Sequence, residues 1–182
     1  MNLHHFARLA FAFGLTTTAM SFGQTPNAPL PKGIGEGEMM QWIAHPLEIS
    51  NPSTLRGIPT PPPGGNIRTA AEWEEIEVLT ITWRDFPCIL KQITAAAVQE
   101  CRVVIFSENV NQTNNYLAGL SCGGPVPMDS VEVVDAESNS IWIRDYGANT
   151  VYKEYNDGRV LVDWLYNRPR PDDDAIPDVL AD

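Results

Sequence analysis

Cationic side chains are scarce in this sequence. Twelve Lys and Arg stand against 23 Asp and Glu, for a net charge of −11. A surface that acidic repels nucleic acid and anionic membranes, which excludes both as partners; it serves either plain solubility or the attraction of cationic ligands. Histidine is scarcer still. His4 and His5 fall in the first residues, so His45 is the only one beyond them, and together with Cys88, Cys101 and Cys122 these residues contain no zinc-type spacing. No metal and no cofactor is expected. Long apolar runs are missing too. The stretch from Leu9 to Phe22 is interrupted by Gly14 and three threonines, and falls short of the roughly 20 residues a membrane span needs.

What that stretch does fit is a secretory signal over residues 1–23. Its polar start holds His4, His5 and Arg8, and Ser21-Phe22-Gly23 offers small residues ahead of a cut near Gly23/Gln24. Export to the periplasm or beyond follows as the expectation, with the charge moving from −11 to −12 as Arg8 leaves. No cysteine stands just after the cut, so a lipid anchor is not supported. An odd number of cysteines in an exported chain leaves at least one free or paired outside this sequence.

Residues 24–67 carry Pro26, Pro29, Pro31, Pro46, Pro52, Pro59 and the run Pro61-Pro62-Pro63-Gly64-Gly65. Proline removes backbone donors and favours extended chain, so this reads as an extended lead-in, with Trp42 and Ile43 as its anchor on a domain surface. From Ala71 onward strands and helices alternate, as in an α/β domain. Strands are predicted at Val78–Trp83, Arg102–Phe106, Val131–Val134, Ile141–Ile143, Asn149–Tyr152 and Val160–Tyr166, with a hairpin turn at Asp157-Gly158. Helices are predicted from Pro87 to Glu100, with Ile89, Ile93, Ala96 and Ala97 on one face, and from Asn109 to Leu120, ended by Gly123-Gly124. The acidic end, Asp172-Asp173-Asp174 to Asp182, reads as a loop.

Three stretches carry possible chemistry. Ala71-Glu72-Trp73-Glu74 reads as structural, with Trp73 packing the start of the domain. In Ser140-Ile141-Trp142-Ile143-Arg144-Asp145-Tyr146-Gly147, strand alternation sends Trp142 and Arg144 to one face, while Gly147 bends the backbone and frees Asp145. A carboxylate beside an aromatic wall matches the paired N–H groups of a guanidinium, or else forms a structural ion pair. In Tyr166-Asn167-Arg168-Pro169-Arg170-Pro171 the prolines stiffen two arginines, which either grip a carboxylate in bidentate fashion or form a solvated loop neutralised by Asp172 to Asp174. Cys122, beside Gly123-Gly124, has no basic neighbour and reads as a structural cysteine.

Together these stretches resemble the bacterial peptidyl-arginine deiminase and agmatine deiminase family, over about Ala71 to Pro171. The Trp142-x-Arg144-Asp145-x-Gly147 pattern and the Arg168/Arg170 pair carry the likeness. It implies a five-bladed α/β propeller of ββαβ units, with residues 68–182 as a partial catalytic domain. It also implies catalytic and guanidinium-binding roles for Asp145, a pocket wall at Trp142, and a grip by Arg168 and Arg170 on the carboxylate of a C-terminal arginine. Peptides or proteins ending in arginine would be the substrates, and citrulline and ammonia the products. The family's chemistry needs a cysteine nucleophile and a histidine that none of the residues here matches, so the chain by itself is expected to be inactive. Agmatine, the putrescine precursor, has no carboxylate for paired arginines to hold. An agmatine or free-arginine deiminase and a non-catalytic arginine-binding module are the competing readings.

Overall fold

A computed structural model of the chain describes residues 29–44, 64–154, 158–164 and 166–181. The expected signal, His45 and Asp157 lie outside them. Three parallel strands form the centre: β2 (Val78–Thr82), β3 (Arg102–Ser107) and β4 (Val131–Asp135), in the order β2-β3-β4. The crossovers are the helices α2 (Pro87–Ala97) and α3 (Val110–Ala118). β3 is buried on both faces, as a parallel strand between two layers must be. Its Val103 and Ile105 join Ile81, Leu117 and Val126 beneath the two helices. Its Val104 and Phe106 point the other way and meet Tyr146, Tyr166 and Ile176. A second sheet is antiparallel, in the order β1-β5-β6: β1 (Ile67–Thr69), β5 (Asn149–Lys153) and β6 (Gly158–Val162). The α/β class therefore holds, as two three-stranded sheets.

Several expectations are corrected. α2 turns Ile89 and Ile93 outward, 57% and 44% exposed, and buries Lys91 completely. The cause is polar. Lys91 Nζ donates to the carbonyls of Tyr116 and Gly119, 2.8 and 2.7 Å away at the C-terminal end of α3, where backbone acceptors have no helical partner. Cys122, with φ at +56°, is joined to Cys88 in the first turn of α2, while Cys101 is free. Trp73 is 88% exposed, so it does not pack the start of the domain. Its neighbour Glu74 accepts instead from Arg68, at 2.7 Å.

The lead-in is not wholly extended: α1 (Glu36–Ala44) forms within it. Gly35 N–H donates to Glu38 Oε2 at 2.7 Å, half of a capping box in which the third helical residue reaches back to the cap. Trp42 and Ile43 are not its anchor, being 37% and 60% exposed. The acidic end is not a loop either. It forms α5 (Pro171–Asp174) and α6 (Ile176–Ala181), with proline at the first helical position and aspartates where the helix dipole favours them.

Candidate functional site

The predicted strand at Ile141–Ile143 does not form. A short helix, α4 (Ile143–Tyr146), begins directly after Trp142. The backbone donors a strand would place in a ladder are taken by a side chain. Asp173 Oδ1 accepts from the N–H groups of Asn139 and Ser140 at 2.8 and 2.9 Å, and Oδ2 accepts from the Ser140 hydroxyl at 2.7 Å. The buried Tyr146 hydroxyl donates to the Ser140 carbonyl, 2.7 Å away. Each interaction fixes the corner from which Trp142 and Asp145 project. Gly147 closes the turn, since a Cβ there would stand 2.6 Å from the Ile143 carbonyl.

Asp173 is fully buried, and desolvation raises its carboxyl above the usual range in spite of the hydrogen bonds it accepts from Ser140 and Asn139. Burial likewise raises the Tyr146 phenol, beyond anything Thr82 and Ser140 offset. These are groups held by geometry at an electrostatic cost.

Trp142 and Asp145 share one turn, with Asp145 N–H donating to the Trp142 carbonyl at 2.8 Å. The alternation that paired Trp142 with Arg144 on a strand face is thus replaced by helical geometry, and Arg144 points into solvent. Asp145 is partly open, its side chain 24% exposed, and 3.4 Å from Lys32 Nζ. The Trp142 indole N–H donates to the Leu30 carbonyl at 2.8 Å.

Arg170 is 1% exposed, with a partner on each of its three nitrogens. Its Nε donates to Glu38 Oε1 at 2.6 Å and Nη2 to Glu38 Oε2 at 3.0 Å, the two-pronged geometry by which guanidinium holds carboxylate. Nη2 also reaches the carbonyls of Pro31 and Gly33, and Nη1 the Tyr166 hydroxyl at 3.3 Å. Burial alone would push Glu38 up and Arg170 down. Their mutual hydrogen bond prevails, holding the Glu38 carboxyl below its ordinary range and the Arg170 guanidinium above its own. Tyr166 stands between the two ends of the site: it accepts from Arg170, and its phenol, raised by burial, also feels the charge of Asp145.

Arg168 is half-buried. Nη1 turns back to the carbonyl and side-chain oxygens of Asn167, its charge lowers the Glu38 carboxyl, and its buried Nε has no hydrogen-bond partner. The two arginines are therefore not equivalent. Arg170 is engaged, and Arg168 keeps a buried donor unused.

Three of the four residues singled out from sequence, Trp142, Asp145 and Arg170, contact one stretch of the lead-in, Leu30 to Glu38, and the charge of the fourth, Arg168, acts on Glu38. Sequence reasoning did not find Lys32, Glu38, Tyr166 or Asp173. For Glu38 a faint signal existed, a Glu three residues after Gly35, where a capping box places it. For Asp173 none existed, because its role depends on contacts 33 residues away in sequence. Among the described residues no cluster of His, Cys, Asp and Glu could hold a metal ion, and no helix is long and apolar enough to cross a membrane.

Comparison with known proteins fits this geometry. A solved structure from Porphyromonas gingivalis, described provisionally as an arginine deiminase, superimposes with a TM-score of 0.51 at 16% identity, over 64% of this chain and 37% of that one. At that identity the likeness concerns the fold, and this chain spans little more than a third of that protein. A family model, Porphyromonas-type peptidyl-arginine deiminase, matches residues 68–175, more than half of the chain and the whole stretch that holds Trp142, Asp145, Arg168 and Arg170. The chain belongs to the Porphyromonas-type peptidyl-arginine deiminase family.

Proposed function

We propose that this chain carries the arginine-recognising part of an exported hydrolase that converts the C-terminal arginine of peptides to citrulline, releasing ammonia. One observation carries the reading: the family match runs through both motifs, and at their ends Asp145 and Arg170 offer opposite charges. A C-terminal arginine has the complementary pair, a guanidinium at one end and a carboxylate at the other. Asp145 accepts two parallel N–H groups and fixes the plane of the guanidinium, Trp142 walls it, and Arg170 with Arg168 holds the carboxylate. A thiolate then adds to the guanidinium carbon, ammonia leaves, and water releases the citrulline product.

That thiolate comes from outside this chain in the proposal. Cys88 and Cys122 are consumed in a disulfide, and Cys101 lies beside the N-terminal end of β3, away from Asp145's turn. The disulfide supports export, since such bonds persist in oxidising compartments.

A second reading has one observation of its own. Arg170 is fully engaged by Glu38 and backbone carbonyls; were that engagement permanent, the substrate would need no carboxylate, as with agmatine. Citrulline release by the product of the whole reading frame separates the two. Turnover of a peptide ending in arginine, lost in Asp145→Asn and weak with agmatine, is the expected result. Equal turnover of agmatine, unaffected by Arg168→Ala, would favour the alternative, and no ureido product from any guanidine substrate would sink both.

A further inference from the structure

We propose that the segment Leu30–Glu38 is an internal occupant of the arginine site, a strap that presents a cation to Asp145 and a carboxylate to Arg170 and so competes with the substrate. The proposal rests on the reading above. The segment's charges are arranged like those of the ligand it would exclude. Lys32 places an ammonium 3.4 Å from the Asp145 carboxylate, where the guanidinium would sit. Glu38 gives Arg170 a two-pronged carboxylate, where the C-terminal carboxylate would sit. Between them the Leu30 carbonyl covers the Trp142 indole N–H, and the Pro31 and Gly33 carbonyls take the remaining Nη2 valence. Each nitrogen of Arg170 thus already has a partner, Nε and Nη2 on the strap and Nη1 on Tyr166.

Apolar packing does little to fix the segment. Neither apolar cluster includes its Leu30 or Ile34, and Met39, Met40 and Ile43, which follow it in α1, are 42%, 71% and 60% exposed. Its attachments are polar ones, which a ligand offering the same groups can replace one for one. The buried Arg168 Nε–H is a donor that the strap leaves unpaired, on a guanidinium whose charge acts on Glu38, and a ligand carboxylate would gain it.

The strap is tethered. Nineteen residues, 45–63, lie between Ala44 and Gly64, and a tether of that size sets an effective concentration on the order of millimolar. Covalent attachment thus makes a weak mimic a real competitor, without any step of bond making or breaking.

The test uses the protein made from its whole reading frame, with Nα-benzoyl-arginine as the substrate carrying both charged ends. In Lys32→Ala/Glu38→Ala, KM is expected to fall at least about tenfold with kcat unchanged, the signature of a removed competitor. Lys32→Ala alone, which touches only a partly exposed pair, is expected to give a smaller fall in the same direction and guards against misfolding of the double variant. A synthetic peptide of residues 29–44, added to the double variant, is expected to inhibit competitively, and the same peptide with Glu38→Ala to lose most of that effect. Equal KM values with an inert peptide would overturn the strap while leaving the arginine-site reading intact. Absence of citrulline from every form would overturn that reading and the strap with it.

Discussion

The two faces of the parallel sheet are held by different physics. Beneath α2 and α3, Ile81, Val103, Ile105, Leu117 and Val126 exclude water, the Cys88–Cys122 bond ties helix to turn, and the buried charge of Lys91 rests on backbone carbonyls, not on a side chain of opposite charge. On the opposite face the apolar cluster is joined to charge: Arg170 with Glu38, Asp173 with Asn139 and Ser140, Tyr166 with Arg170. Apolar burial tolerates substitution in proportion to the volume lost, whereas a buried charge tolerates little, because the partner left behind is uncompensated. The face that carries the candidate site is the one with paired side-chain charges.

The sharpest break in that comparison is Arg170→Ala. It should cost about 3–5 kcal/mol in denaturant unfolding, and the double variant with Glu38→Ala should recover part of the loss, since neither charge is then stranded. Ile105→Ala on the other face should cost about 2–4 kcal/mol, with no second-site recovery from any polar change.

Acidity separates regions of the charged face by sign. The Glu38 carboxyl lies below its ordinary 4.5, so its contribution is whole above that value and is lost as pH falls through the depressed one. Asp163 is pushed up to about 6 by burial and by Asp178 and Asp174. Its folded form takes up a proton more readily than the unfolded chain, so stability declines as pH rises from 3.8 toward about 6. Region-resolved hydrogen exchange, corrected for intrinsic rates, should show the acidic end tightening between pH 7 and 5 and Leu30–Glu38 loosening only in stronger acid. Asp163→Asn should abolish the first change and Glu38→Gln the second. Trp73→Ser should change the free energy of unfolding least, by no more than about 0.5 kcal/mol in denaturant titration, because an exposed ring has little to lose.

The same division explains what the sequence made legible. The runs at Val78–Trp83, Arg102–Phe106 and Val131–Val134 and the helical stretch from Asn109 were legible as three strands and α3, because period and propensity are local signals, whereas the parallel pairing is read from the structure. The charged face was opaque for the opposite reason. Ile141–Ile143 has a strand's composition, yet Asp173, from 33 residues away, takes the polar groups of Ser140 just ahead of it and fixes a corner there. Lys91 lies off the face of α2 that carries Ile89 and Ile93, and it is buried because two carbonyls at the end of α3 accept from it. Trp142, Asp145, Arg168 and Arg170 could be singled out by residue type and order, and their meeting on Leu30–Glu38 could not, since contacts 132 residues apart leave no local trace.

The Cys88–Cys122 bond also has a mechanical consequence. It closes a loop of 34 residues that spans most of α2, β3 and α3. Pulled from its two ends, the molecule could pay out the strap, the β5–β6 hairpin and the short terminal helices, but this loop would add nothing to its extended length until the bond was reduced. Reduction would then lengthen the stretched chain by about 120 Å, at some 3.5 Å per residue, so a force-extension trace would report the state of one covalent bond as a missing stretch of contour.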